Sequence, residues 1–188
     1  MMETMVNFED EEYIRLSGKA LVSAVAAALE RACTDEEPVE STIPKCFLGR
    51  KQLMSMESYV QRLYEFMDCS DVVFITALVY LDRLEIANSN NRLTPQNVHR
   101  LFATAMLLAV KYQDDEIFDN SYYSRVFGFS NLAETNHFEA TLLCLLDFRV
   151  AVSEKEYLFY KTYLIQSTPQ TPTQPEFMLS SVPVASAA

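Results

Sequence analysis

The sequence of 188 residues has no tryptophan, three glycines and two histidines. So little glycine leaves no Gly-rich loop to cradle phosphates, and neither G-x-G-x-x-G nor a Walker loop is present. Seven prolines are unevenly placed, with none between Pro95 and Pro169. Low glycine with a long proline-free stretch argues against sandwiches and barrels and for helices. The four cysteines, Cys33, Cys46, Cys69 and Cys144, form no C-x-x-C pair. Neither His99 nor His137 stands at ligand spacing to the other or to a cysteine, so no metal centre and no disulfide framework are expected. Reduced cysteines suit an intracellular setting, in nucleus or cytoplasm. The apolar run over residues 21–29 is far short of the roughly 20 residues of a membrane span. The first twelve residues are acidic where a secretory signal would be basic, so none is expected.

Apolar residues make up 49% of the chain and charged ones 22%, ordinary for a globular domain with a real core. The net charge is −11. Residues 1–40 hold ten acids against three bases, and residues 41–166 hold fifteen against twelve. The excess therefore sits on an N-terminal arm. Such a chain is a poor nucleic-acid binder, while a basic protein partner is easier to accommodate.

Helical periodicity recurs along the chain. It predicts helices over 11–31, 56–67, 71–87, 94–113, 119–126, 131–148 and 153–165. Acids at residues 11–12 suit a first turn. Ser70 is expected to cap the third helix, and Thr94-Pro95 to open the fourth as cap and first residue. Asn131-x-x-Glu134 and Ser153-x-x-Glu156 read as capping boxes. Gly128 ends the short fifth helix. Leu132, Phe138, Leu142, Leu143, Leu145 and Leu146 are expected inside. The fourth helix is apolar nearly all round and takes the centre of the domain.

Catalysis finds no home in these residues. There is no G-x-S-x-G and no H-E-x-x-H. The Asp114-Asp115 pair reads as a solvated loop, and His99 as a satisfied or half-exposed histidine. Two charges in apolar helices stand out. Lys111 ends the run Leu107-Leu-Ala-Val-Lys-Tyr112, and Glu139 lies in Phe138-Glu-Ala-Thr-Leu-Leu143. One reading is a dipole-stabilising lysine and a solvent-facing turn. The other is a pair that offers charged hydrogen bonds to a partner at the rim of an apolar patch. Periodicity leaves both open.

Three blocks then stand in order: Phe74-Ile-Thr-Ala-Leu-Val-Tyr-Leu-Asp-Arg-Leu84, Asn97-Val-His-Arg-Leu-Phe102 and Ala109-Val-Lys-Tyr-Gln-Asp-Asp115. With Asn120, Val126, Gly128, Glu134-Thr-Asn136, Phe138-Glu139 and Leu145-Leu-Asp-Phe148, they resemble the cyclin box of PHO-type (P/U-type) cyclins. The resemblance implies an all-α fold, a five-helix cyclin box over 54–150. Around it are expected an acidic arm (1–10), an N-terminal helix (11–33), an irregular connection (34–53), a C-terminal helix (153–166) and a Pro/Thr/Ser tail (167–188).

It also implies a non-enzyme: the regulatory subunit of a cyclin-dependent serine/threonine kinase, in cell-cycle control or nutrient and phosphate signalling. No cofactor, small-molecule substrate, nucleic acid or membrane is implied. In that family the lysine ending the third box helix and the glutamate in the fifth contact the kinase's C-helix region. Lys111 and Glu139 hold those places. Tyr112, Leu143 and Phe148 then correspond to apolar anchors. The chain departs from the family where Val126-Phe-Gly128 replaces Val-Gly-Gly. It also lacks the Met-Arg-Ala-Ile-Leu…Trp docking patch and any second box repeat after residue 150. Thr168-Pro169 and Thr171-Pro172 match the minimal site of a proline-directed kinase, and a plain tail is the blander account. The rival function is a helical adaptor that docks a non-kinase protein.

Overall fold

A computed structural model describes residues 16–35 and 41–167. Among them are seven α-helices and no strand: α1 Gly18–Ala32, α2 Met56–Phe66, α3 Asp71–Ala87, α4 Val98–Gln113, α5 Asn120–Phe127, α6 Leu132–Leu145 and α7 Glu154–Ser167. The all-α expectation holds. Thr168 and Thr171 lie outside the described residues.

The helix ends show which local signals won. Gly18 has φ +56°, in the left-handed region, so the right-handed helix cannot run back through it. α1 therefore starts at Gly18 with no acid in its first turn, not at residue 11. Ser70 stands before α3 but does not cap it. Its hydroxyl and amide both donate to the Asp114 carboxylate, at 2.5 and 2.9 Å, tying the start of α3 to the end of α4. The helix expected from Thr94-Pro95 begins at Val98. Asn97 Oδ1 accepts from the Thr94 amide at 2.9 Å and folds 94–97 into a turn first. At α6, Asn131 accepts from the Glu134 amide, but the Glu134 carboxylate reaches back to the Ser130 amide, one residue beyond the box. That helix stops at Leu145, three residues early, because Asp147 and Phe148 adopt φ +51° and +56°. Leu132, expected inside, is exposed at the first position of α6. The Ser153–Glu156 box forms in both directions, as its sequence indicates.

α3 and α4 are the centre. Every residue from 73 to 81 and from 101 to 110 is buried. The two helices make the most extensive pairing in the fold, with α6 on α4, α7 on α3 and α1, and α1 along α2. The connector between α1 and α2 is held by two side chains. Asn91 Oδ1 accepts from the Thr42 amide at 2.8 Å, while its amide group donates to the Leu84 carbonyl at the end of α3. Arg100 donates to the Cys46 and Leu48 carbonyls. Its guanidinium carbon would lie 3.2 Å from a Cβ at Gly49, so a side chain there would press the guanidinium aside by a few tenths of an ångström.

All four cysteines are unpaired. Burial pushes the Cys33 thiol up to about 11 and the Cys69 thiol up to about 12, each helped by nearby carboxylates, and raises Cys46 as well. Cys144 is exposed on α6.

Candidate functional site

Lys111 is the last-turn residue of α4, where a cation suits the helix dipole. Glu139 lies at the middle of α6, which packs on α4. The two side chains meet: Lys111 Nζ lies 2.6 Å from Glu139 Oε1. They are 29% and 20% exposed, half out of water yet open from one side. The second carboxylate oxygen, Oε2, accepts from Asn120 Nδ2 at 2.7 Å, and the same amide group donates to Asn136 Oδ1. Both glutamate oxygens are therefore held, while the lysine ammonium keeps donors for an incoming acceptor.

Apolar groups surround this pair. Tyr112, next to the lysine, is 48% exposed. Leu143 lies one turn beyond Glu139 on the same face of α6 and is half-buried against the core. Phe148 is 65% exposed, and its amide donates to the Leu143 carbonyl at 3.0 Å. Tyr112 and Phe148 line one groove of about 600 Å³, with Ile86 at the end of α3 and Val150 opposite. Phe148 holds its exposed position on a left-handed backbone. A bulky residue there is a conformational outlier, and such strain concentrates at functional sites. The structure thus pairs Lys111 with Glu139, sets Tyr112 and Phe148 on one groove and ties Phe148 to Leu143.

Two contributors were not singled out. Asn120 orients Glu139, and its signal was weak because it depends on partners 16 and 19 residues away. Arg83 floors the groove by donating to the Arg149 and Ala151 carbonyls and pairing with Glu156 at 2.9 Å. Its presence in the Leu81-Asp-Arg-Leu84 block was the available clue. Among the described residues no cluster of His, Cys, Asp or Glu could hold a metal ion. Among the described residues no helix is long and apolar enough to cross a membrane.

Comparison with known families adds the deciding observation: the cyclin family model matches residues 13–150. The chain belongs to the cyclins. It is 39% identical over 115 residues to Cyclin-U1-1 of Arabidopsis thaliana, covering 61% of this chain and 54% of that protein. Cyclin-P3-1 of Oryza sativa subsp. japonica is 35% identical over 115 residues, 61% of this chain and 48% of its own. Cyclin-U4-1 of Arabidopsis thaliana is 30% identical over 150 residues, 77% of this chain and 74% of its own. The chain therefore spans about half the length of the first two relatives. This cyclin is of the P/U type. Family membership supports a regulatory role.

Proposed function

We propose that this cyclin binds and activates a cyclin-dependent serine/threonine kinase inside the cell, through the face made by Lys111, Glu139, Tyr112, Leu143 and Phe148. The observation that carries the reading is the half-buried Lys111–Glu139 pair set among exposed apolar side chains. A charged pair fixes register at a docking surface, and neighbouring aromatics supply most of the affinity. The rigid α4–α6 platform would hold the kinase C-helix inward and so place the kinase's own Lys–Glu pair on ATP. Energetically this is a population shift: the cyclin binds the active conformer better and draws the equilibrium toward it.

The test is an affinity pull-down from native lysate with the wild type beside Lys111→Glu, scored for a bound kinase and for phosphorylation of a proline-directed substrate. The expected result is kinase activity retained by the wild type and lost with the charge reversal, with helical circular dichroism unchanged. A second protein captured in place of a kinase by both would transfer the assignment to an adaptor. Within the same reading, Thr168 and Thr171 are substrates of the bound kinase. Mass spectrometry after incubation with the complex and ATP is expected to find phosphate on at least one, and two unmodified threonines would remove that part.

A further inference from the structure

A second cleft lies at the opposite end of α4, and the kinase reading leaves it unused. Its volume is about 170 Å³, and Tyr59 and Arg62 of α2, His99 and Arg100 of α4, and Phe129 and Glu134 form its walls. His99 and Lys111 are twelve residues apart on one helix, about 18 Å along its axis, so cover over one site leaves the other open.

The polar groups here are incompletely matched. Both ring nitrogens of His99 are out of contact with water and have no hydrogen-bond partner among the described residues. Its ring sits edge-on to Tyr59 with centroids 4.8 Å apart. The Tyr59 hydroxyl turns away from it and donates to the Phe127 carbonyl. Burial holds the imidazole below its ordinary range, opposed only by the backbone at Met54. A neutral imidazole needs one acceptor and one donor, and a buried one that lacks them is costly.

Charge is also left over. Arg62 donates from Nε to the Val126 carbonyl at 2.8 Å and from Nη2 to the Arg125 carbonyl at 3.0 Å. No carboxylate pairs with it among the described residues, and Nη1 is uncommitted. Arg100 spends Nη1 on the connector carbonyls, and its Nη2 lies 3.5 Å from Glu134 Oε1. The other oxygen of Glu134 is engaged by the Ser130 amide. Two guanidinium groups therefore face one carboxylate, a locally positive spot on a chain of net charge −11.

We infer that this cleft is a binding site for a small oxyanion, a phosphate or a carboxylate, held by Arg62 and Arg100 beside the His99 ring. Planar guanidinium groups suit both anions. The anion gives Arg62 the counter-charge it lacks, and the His99 ring on the wall of the same cleft reports its arrival.

The chain has only two histidines, so the imidazole Cε1–H region of its NMR spectrum holds two signals, and exposed His137 serves as internal control. The full chain is titrated with sodium phosphate and, separately, with sodium acetate, each against sodium chloride at matched ionic strength. The expected result is a saturable movement of the His99 signal with His137 still. A response to phosphate alone assigns a phosphate ligand, and one to acetate alone a carboxylate; either supports the site. Arg62→Gln is expected to weaken binding about tenfold. Because it also removes bonds to the end of α5, Glu134→Gln supplies the opposite sign: it deletes the competing charge, keeps a side chain of the same length and should tighten binding. A His99 signal that does not move with either anion, or that moves together with His137, overturns the inference. So does a Glu134→Gln chain that binds no better than the wild type. None of these outcomes depends on a kinase.

Discussion

Phe148 bears two costs at once, an exposed aromatic ring and a left-handed backbone. For a side chain with a Cβ that conformation costs on the order of 1–2 kcal/mol, and glycine escapes it. Phe148→Gly should therefore leave the fold as stable or raise it by up to about 1 kcal/mol in chemical denaturation, since glycine's looser unfolded state takes back part of the gain. The same substitution should abolish kinase capture, because it removes an anchor ring. A strained residue that stabilises nothing in the free chain and is required for binding would be marked as functional by that divergence. Lys111 and Glu139 are visible in the sequence as charges inside apolar helices, whereas Tyr112, Leu143 and Phe148 were singled out through the resemblance to the cyclin box. The backbone of Phe148 was not legible, because nothing in Leu145-Leu-Asp-Phe148 announces two consecutive left-handed residues. Asn120 was hidden for a different reason: an asparagine acquires meaning only from what the fold brings beside it.

Among the elements, α7 depends most on single polar bonds. Its start is fixed by the Ser153–Glu156 box, its side by the Arg83–Glu156 pair, and its middle by the hydroxyl of Tyr160 donating to Asp82. The Ser153 amide first, then the Arg83 guanidinium, hold the Glu156 carboxyl well down, at about 2. A carboxyl depressed in the folded state stabilises fully above its unfolded value of about 4.5. That contribution is lost as pH falls from there toward about 2. Hydrogen exchange of the α7 amides should accelerate across that window while α4 stays protected, and Glu156→Gln should remove much of the pH dependence. The gain is modest because the carboxylate is largely in water. Capping logic read correctly at Ser153 and at Gly128, whose φ of +74° closes α5. It misread Ser70 and Thr94, because Asp114, 44 residues away, draws the Ser70 hydroxyl to itself and Asn97 folds the chain from Thr94 into a turn. A local signal identifies a group that wants a partner, and the tertiary structure chooses which.

At the scale of the described fold, α3 and α4 form a buried pair flanked by the other helices, and stability should be concentrated at that pair. Phe102 on α4 is completely buried. Phe102→Ala should cost about 3–5 kcal/mol, a large share of the total of a domain this size, and lower the melting temperature of every helix together. A loss confined to α4 in hydrogen exchange would contradict a single core. The all-apolar stretches made this centre legible from the sequence, since only a surrounded helix can be apolar on all sides. The course of the α1–α2 connector was not, because it rests on Asn91 and on Arg100 seated over Gly49. The cysteines carry a practical consequence. Thiolate, not thiol, is the reactive form, and three of the four are held as thiols by their surroundings. A maleimide dye added briefly at neutral pH should therefore attach at Cys144 first, without any engineered site. Since that residue follows Leu143 directly on α6, its fluorescence offers a label for watching a partner arrive on the unmodified sequence.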